Sequence, residues 1–144
     1  MGETEKMNKL IFVVGSIVLL ICVGLSGCSQ SNPNRTTITV TNNYSGDVEG
    51  HINIEIYNGN YDDKESGTRV YTVSRDFSLH WNEAETYIFD IPESIKIDYG
   101  LVNCYASYDG YSDEQGHWSN WANWYFTDGF QIYGTEDKIH VKWL

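Results

Sequence analysis

The sequence predicts an all-β chain, an antiparallel β-sandwich of seven or eight strands preceded by an N-terminal signal or anchor helix. Apolar and polar residues alternate over short runs from residue 36 onward, as they do in half-buried strands. Turn-forming residues separate these runs at close spacing, and no stretch of this region shows sustained helical periodicity. A β-barrel built from the same strands is the alternative, because periodicity does not distinguish a barrel from a sandwich.

The predicted strands follow one another to the C-terminus, and each is marked by apolar residues of one parity. Their composition is rich in Thr, Val, Ile, Tyr and Trp, which favour strands. In chain order the apolar members are Ile38 and Val40; Ile52, Ile54 and Ile56; Tyr71, Val73, Phe77 and Leu79; Tyr87, Phe89 and Ile91; Ile95 and Ile97; Val102, Cys104 and Ala106; and Ile139, Val141 and Trp143. The turn signals between them are Asn42-Asn43-Tyr44-Ser45-Gly46-Asp47, Asn58-Gly59-Asn60, Glu65-Ser66-Gly67, Asp109-Gly110 and Thr127-Asp128-Gly129.

The N-terminal segment has the organisation of a secretory signal peptide. Lys6 and Lys9 precede an uncharged, mainly apolar stretch that leads into Leu25-Ser26-Gly27-Cys28. This tetrapeptide resembles the lipobox of prokaryotic lipoproteins, in which the cysteine is lipidated and becomes the first residue of the mature chain. The resemblance implies a signal peptide over residues 1–27, a lipid on Cys28 that anchors the protein to the membrane, and a location on the outer face of the cell membrane. An uncleaved transmembrane helix and an ordinary secretory signal stay open as alternatives.

After a predicted tether over residues 28–35, the domain predicted over residues 36–144 resembles the Ig-like modules of prokaryotic surface proteins. The run Asp98-Tyr99-Gly100-Leu101-Val102-Asn103-Cys104 is similar to the Asp-x-Gly-x-Tyr-x-Cys run of immunoglobulin domains, with Val102 at the tyrosine position and no partner cysteine. The other segments that carry the resemblance are Thr39-Val40-Thr41-Asn42-Asn43, Gly46-Asp47, Ile52-Asn53-Ile54-Glu55-Ile56-Tyr57, the segment from Phe77 to Phe89, and Ile91-Pro92-Glu93. The resemblance implies an Ig-like topology, in modules that serve adhesion, spacing or ligand binding.

Charge and motif content exclude several classes of function. The chain carries 20 Asp and Glu against 9 Lys and Arg, and this acidic balance disfavours nucleic acid as a partner. No His-x-x-x-His, Cys-x-x-Cys or Gly-x-Ser-x-Gly motif occurs, so we predict neither catalytic activity nor a metal site of those types. Cys104 is the one thiol after Cys28, which excludes a disulfide framework within the domain. Its parity with Val102 and Ala106 predicts that it is buried.

The segment from Trp118 to Phe126 holds five aromatic residues. If it is a strand, alternation directs Trp118, Trp124 and Phe126 to one face and directs Trp121 and Tyr125 to the other. One face must pack on the core, so the other displays aromatic rings beside polar side chains. Flat rings with neighbouring amides suit a sugar, because a pyranose presents an apolar face of C–H groups.

The sequence therefore predicts a non-catalytic binding module that holds a glycan or a partner protein at the cell surface. Tyrosines upstream of the aromatic segment extend the predicted surface. Its predicted residues are Trp118, Trp121, Trp124, Tyr125, Tyr108 and Tyr111. The alternative is a structural, accessory subunit of an envelope complex, in which these aromatics lie in the core and stabilise the sheet.

Two acidic segments, Asn58–Asp63 and Asp109–Glu114, offer oxygen side chains of the kind that calcium binds. Hydrated hairpin turns are the simpler explanation of both, since Asn, Asp and Gly are common turn residues. No other cofactor is predicted. Asn34 and Asn43 lie in Asn-x-Ser/Thr sequences, which makes them candidate sites of N-glycosylation.

Overall fold

Eight β-strands and one 3₁₀ turn make up the part of the protein that the computed structural model describes, residues 34–120 and 129–144. The strands are β1 (Arg35–Asn42), β2 (Val48–Asn58), β3 (Thr68–Leu79), β4 (Ala84–Asp90), β5 (Tyr99–Tyr108), β6 (Tyr111–Asn120), β7 (Gly129–Thr135) and β8 (Lys138–Trp143), and the 3₁₀ turn is Lys64–Ser66. The prediction of an all-β chain is confirmed. The predicted leader and Cys28 lie outside the described residues. Within the described ranges, no helix is long and apolar enough to cross a membrane.

The strands form two four-stranded sheets arranged as a sandwich. Sheet 1 has the order β4-β1-β7-β8, and sheet 2 has the order β3-β2-β5-β6. One pairing departs from the predicted antiparallel arrangement, because β1 and β7 are parallel, with Thr39 opposite Gly129. A glycine is required at this point, since a Cβ on Gly129 would lie 1.9 Å from the Thr39 carbonyl oxygen. Alternation shows which face of a strand is buried but not the direction of its neighbour, so the sequence gives no sign of this pair.

The core lies between the two sheets, where residues of one parity in each sheet are buried. In β5 the inward residues Val102, Cys104 and Ala106 are fully buried, as predicted for the cysteine. Burial, with a smaller contribution from Glu114, raises the pKa of the Cys104 thiol to about 12. The other fully buried aliphatic and phenylalanine residues of the core are Ile38, Val40, Val48, Ile52, Ile54, Ile56, Leu79, Phe89, Ile91, Phe130 and Ile132.

The predicted strand at Ile95 and Ile97 is wrong, because the chain turns there. The amide of Ile95 donates a 2.9 Å hydrogen bond to the carbonyl of Pro92. Pro92 has no N–H to offer a strand ladder and its φ is fixed, which favours the turn. Both isoleucines are half-buried and pack against the core from this turn, which explains their apolar character.

The predicted runs also miss β7 and the first half of β6. In β7, Gly129 and Gly134 interrupt the alternation, although Phe130 and Ile132 are buried. The first half of β6 is polar, and its position is set by pairing with β5 through the two-residue turn Asp109-Gly110. Both turn residues have positive φ, 45° and 84°, as the tight turns of β-hairpins require.

Asn42 ties two loops together at one end of the sandwich. Its side chain is fully buried, and its Nδ2 donates to the carbonyls of Gly46, Leu79 and His80 at 2.8, 3.1 and 3.0 Å. Its Oδ1 accepts the amide of Tyr44 at 2.9 Å. The side chain of Asn42, the last residue of β1, therefore holds the β1–β2 loop against the end of β3.

Contacts between β6 and β8 join the two sheets along one side of the sandwich. Oδ2 of Asp113 accepts the backbone amide of Val141 at 2.7 Å. The rings of His117 and Trp143 stack with centroids 4.3 Å apart and 2° between their planes, and Phe130 meets Trp143 edge-on at 4.9 Å. These contacts hold the β5–β6 hairpin against sheet 1. They therefore also set the position of the side of β6 that faces the solvent.

Candidate ligand-binding face

The side chains of sheet 2 that point away from the core form one polar and aromatic surface, which we call the outer face. The strand register fixes its rows: His51 lies opposite both Asp76 and Tyr105, and Asn53 lies opposite Asn103. The outer face consists of Thr72, Ser74, Asp76 and Ser78 of β3; Glu49, His51, Asn53, Glu55 and Tyr57 of β2; Tyr99, Leu101, Asn103, Tyr105 and Ser107 of β5; and Ser112, Glu114, Gly116, Trp118 and Asn120 of β6.

Aromatic rings occupy one end of the outer face. The rings of Tyr57 and Tyr99 stack with centroids 5.3 Å apart and 5° between their planes. The Trp118 ring lies 5.4 Å from the ring of Tyr57 and 5.9 Å from that of Tyr99. Tyr99 is fully buried, and its hydroxyl donates to the carbonyl of Lys64 in the β2–β3 loop at 3.3 Å. Tyr57 and Trp118 remain half-buried and lie outside the core between the sheets.

A hydrogen-bonded network beside this aromatic end centres on Glu55. Its Oε1 accepts from Asn53 Nδ2 at 3.1 Å and lies 3.3 Å from Nη1 of Arg69, while its Oε2 accepts the Tyr57 hydroxyl at 2.5 Å. Thr72 Oγ1 in turn donates to Asn53 Oδ1 at 3.1 Å. Burial, and then the bond to Glu55, raise the pKa of Tyr57 to about 12, so its hydroxyl stays a donor near neutral pH. The network fixes the orientation of these polar groups in advance of any ligand.

A second ring pair lies farther along the outer face. His51 and Tyr105 stack with centroids 5.2 Å apart and 22° between their planes. Beside them is a cleft of about 510 Å³, lined by Glu49, Gly50, His51, Asp76, Phe77 and Ser78. Gly50 is required here, because a Cβ would lie 2.0 Å from the carbonyl oxygen of Tyr105.

The structure separates the predicted site residues that it describes. Trp118 lies on the outer face, whereas Tyr108 has the inward parity of Ala106 and packs on Tyr44 with ring centroids 5.1 Å apart. Tyr111 is 44% exposed and lies opposite Tyr108 beside the hairpin turn. Trp118 is seven positions after Tyr111 in β6, about 23 Å along a strand. Tyr108 and Tyr111 therefore do not share a site with Trp118.

The remaining aromatic residues of the predicted surface, Trp121, Trp124 and Tyr125, lie outside the described residues. Most of the residues that share the outer face with Trp118 come from other strands, and sequence pattern alone does not predict them as site residues. The missed residues are His51, Asn53, Glu55, Tyr57 and Asn103. Four of these residues lie in β2, where each polar or tyrosine residue alternates with a buried isoleucine. Only the register brings Tyr57 beside Trp118 and places His51 farther along the same face.

Both acidic segments make hydrogen bonds within the fold. In the first, Asn60 Oδ1 accepts the amide of Asp62 at 3.1 Å, which is a turn. The second is not one loop, because β6 begins at Tyr111 and includes Asp113 and Glu114. Asp113 binds the Val141 amide toward sheet 1, while Glu114 lies on the outer face. Across residues 34–120 and 129–144, no group of three or more acidic, histidine or cysteine side chains is placed to hold a metal ion.

The two candidate glycosylation residues differ in exposure. Asn43 is exposed, in the loop that follows β1. Asn34 is half-buried, and its Nδ2 donates a 3.2 Å hydrogen bond to the carbonyl of Pro92. Asn43 is thus the more accessible of the two.

No protein-family model matches this sequence, and no curated protein matches it. Among solved structures, the chain is similar to one described as "Trapped Toxin", with 10% identity and a TM-score of 0.41. It is also similar to "Crystal structure of the human-specific toxin intermedilysin", with 12% identity and a TM-score of 0.40. Each match covers 76% of this chain and 23% of the toxin chain, so this chain spans about a quarter of their length. A likeness at this level carries no argument about function.

Proposed function

We propose that this protein is a non-catalytic module, anchored by lipid on the external side of the cell membrane. It binds a glycan through the outer face of sheet 2. One observation carries the proposal. Trp118 and Tyr57 form an aromatic surface on the solvent side of the sheet, directly beside the fixed carboxylate of Glu55 and the amide of Asn53.

The chemistry of this arrangement fits a sugar. The rings of Trp118 and Tyr57 supply apolar surface for the C–H face of a pyranose, while amides and carboxylates match its hydroxyl groups. Because Glu55 is already held by Asn53, Tyr57 and Arg69, little side-chain entropy is lost when a ligand binds to it. The structural alternative requires the aromatic residues to lie in the core. Phe130 and Trp143 fit that requirement, whereas Trp118 lies outside the core.

The strand arrangement supports the Ig-like part of the proposal. In immunoglobulin domains strand B pairs with strand E in one sheet, and strand C pairs with strand F, which pairs with strand G, in the other. Here β1 pairs with β4, and β2 pairs with β5, which pairs with β6. In that correspondence Cys104 lies in the strand equivalent to F, as the sequence resemblance implies. A departure is β7, which pairs with β1 in parallel.

The anchor rests on Leu25-Ser26-Gly27-Cys28 and its resemblance to a lipobox. More than one acyl group on Cys28 would give stable attachment, since a single chain holds a protein only marginally. Intact-mass analysis of protein extracted from its native membrane tests this part. A mass that corresponds to a chain beginning at an acylated Cys28 is expected, and a chain without acyl groups would contradict it.

Retention of the protein on glycans tests the binding part. Full-length protein in detergent is run through gels that contain neutral polysaccharides, with Trp118→Ala as the test variant and Trp81→Ala as the control. Trp81 is 61% exposed but lies between β3 and β4, off the outer face. We expect Trp118→Ala to weaken retention about tenfold or more and Trp81→Ala to leave it unchanged. If no polysaccharide retards the wild type, or both variants behave alike, the proposal is wrong.

A second candidate is an accessory subunit of an envelope complex. It is favoured by Trp81, whose side chain is 61% exposed, since aromatic residues are enriched at protein interfaces; Ile88 of β4 is 53% exposed. Native gels of solubilised membranes distinguish the two functions. Loss of a high-mass complex in Trp81→Ser and Ile88→Ser, but not in Trp118→Ala, would favour the accessory subunit.

A further inference from the structure

We propose that the outer face binds an uncharged, linear oligosaccharide that extends from the aromatic end, at Tyr57 and Trp118, to the pair of His51 and Tyr105. These are the two ring pairs of the outer face, which discriminates against anionic glycans. This inference rests on the proposed function and specifies the class of its ligand. The spacing of the ring pairs supports the extended ligand, and the distribution of charge supports its neutrality.

The two ring pairs lie too far apart for a single sugar. Tyr57, which stacks on Tyr99 at the aromatic end, is six residues from His51 on β2. Leu101, opposite Trp118, is four residues from Tyr105 on β5. At about 3.3 Å per residue, the pairs are therefore about 13–20 Å apart. A chain of several sugars reaches from one pair to the other, whereas a disaccharide contacts one pair.

The strip between the ring pairs is polar, and at Gly116 it has no side chain that rises above the sheet. Asn53 and Asn103 lie opposite each other there, and Gly116 lies opposite Asn103 on β6. A Cβ on Gly116 would lie 2.5 Å from Oδ1 of Asn103 and 3.2 Å from a methyl carbon of Leu101, so glycine is required for the side chains of β5 to take these positions. The strip offers amide donors and acceptors, which match the hydroxyl groups of an uncharged sugar.

The charge around the second ring pair is negative. Within the part of the chain that the structure describes, the three carboxylates of this region form no ion pair; they belong to Glu49, Asp76 and Glu114. Two cations at the aromatic end have partners, since Arg69 pairs with Glu55 and Lys64 lies over the ring of Tyr61 at 4.2 Å. Arg75, next to Asp76, has the opposite parity to the outer face and lies over the ring of Phe89 at 5.8 Å. A uronate or sulfated sugar placed beside His51 would therefore be repelled, whereas a neutral sugar would not.

Titration of the full-length protein in detergent tests the inference. The probes are neutral oligosaccharides of two and six sugars, from β-glucan, xylan and mannan, and oligouronates of the same lengths. We expect a neutral hexasaccharide to bind about tenfold tighter than its disaccharide, and Tyr105→Ala to remove that difference. The oligouronate is expected to bind about tenfold more weakly than the neutral chain at ~0.02 M salt, with a smaller gap at ~0.5 M salt.

Matched charge variants identify the carboxylates responsible. Asp76→Asn combined with Glu114→Gln should narrow the gap between neutral and anionic chains. Glu136→Gln combined with Asp137→Asn makes the same change of charge in the turn between β7 and β8, and should leave the gap unchanged. Equal affinity for oligouronates and neutral chains, or equal affinity for two and six sugars, would overturn this inference while the proposed glycan binding stands. Binding of no glycan at all would overturn the proposed function as well.

Discussion

The hydroxyl of Tyr57 donates a 2.5 Å hydrogen bond to Oε2 of Glu55, and this bond joins the aromatic end of the outer face to its polar centre. The ring of Tyr57 stacks on Tyr99 and contacts Trp118, while its hydroxyl holds the carboxylate in place. The two roles can be separated, since phenylalanine keeps the ring and removes the hydroxyl.

Tyr57→Phe should therefore weaken glycan binding while the fold is retained. The free energy of unfolding is expected to fall by about 1.5–3 kcal/mol, the usual value of a hydrogen bond to a charged group. Urea denaturation measures the stability, and glycan titration measures the affinity. Tyr133→Phe on sheet 1, where the tyrosine is 39% exposed, serves as the control and should change neither. Unchanged affinity in Tyr57→Phe would show that the hydroxyl plays no part in binding.

Tyr57 also predicts a change of stability in the alkaline range. Its pKa is raised in the folded state to about 12 from an ordinary value of 10.0. Because the folded pKa is the higher one, the stability that this group contributes is fully present below pH 10 and is lost as pH rises toward 12. The phenolate absorbance of the wild type minus that of Tyr57→Phe should stay near zero until well above pH 10. A difference that rises around pH 10 would contradict the raised pKa.

Asn42→Ala should be among the most destabilising polar substitutions in the domain. It leaves the carbonyls of Leu79 and Gly46 without their side-chain partner and frees the amide of Tyr44. Loss of several buried hydrogen bonds predicts a decrease of about 3 kcal/mol in the free energy of unfolding. Asn43→Ala, at the exposed neighbour, should change it by less than about 0.5 kcal/mol. Similar unfolding midpoints for the two variants would exclude the bridging role of Asn42.

Asp113 and Glu114 are adjacent acidic residues on opposite sides of β6, and they should behave differently. Asp113→Ala removes the acceptor of the Val141 amide and should lower the free energy of unfolding by about 1.5–3 kcal/mol. Glu114→Ala should lower it by less than about 0.5 kcal/mol. Thermal unfolding with and without calcium checks both effects. Stabilisation by calcium that both variants abolish would instead indicate a metal site at this hairpin.

Alternation alone predicted most of the buried residues. Ile52, Ile54 and Ile56 alternate with polar neighbours, and Cys104 follows the same pattern in β5, so both strands and their inward faces follow from periodicity. The failures have physical causes. The apolar pair Ile95 and Ile97 does not form a strand, because Pro92 starts a turn there. The polar half of β6 is a strand because it pairs with β5, and the local sequence pattern does not reveal this pairing.

The candidate site was predicted only at Trp118. Sequence spacing grouped it with Tyr108 and Tyr111, which lie near it in the chain but at the other end of the hairpin. The actual neighbour, Tyr57, is distant in sequence and reaches Trp118 through the register of β2 with β5 and of β5 with β6. A binding surface made by several strands depends on pairings that a single sequence does not display.

Tryptophan fluorescence tests the central claim most directly. Full-length wild type and Trp118→Phe are titrated with the same neutral oligosaccharides, since Trp118 lies on the outer face and a bound sugar would change its surroundings. We expect a saturable shift in the wild type with at least one of these sugars, and loss of that shift in Trp118→Phe. An unchanged spectrum with every sugar, or an equal shift in the variant, would contradict the claim that this face binds a glycan.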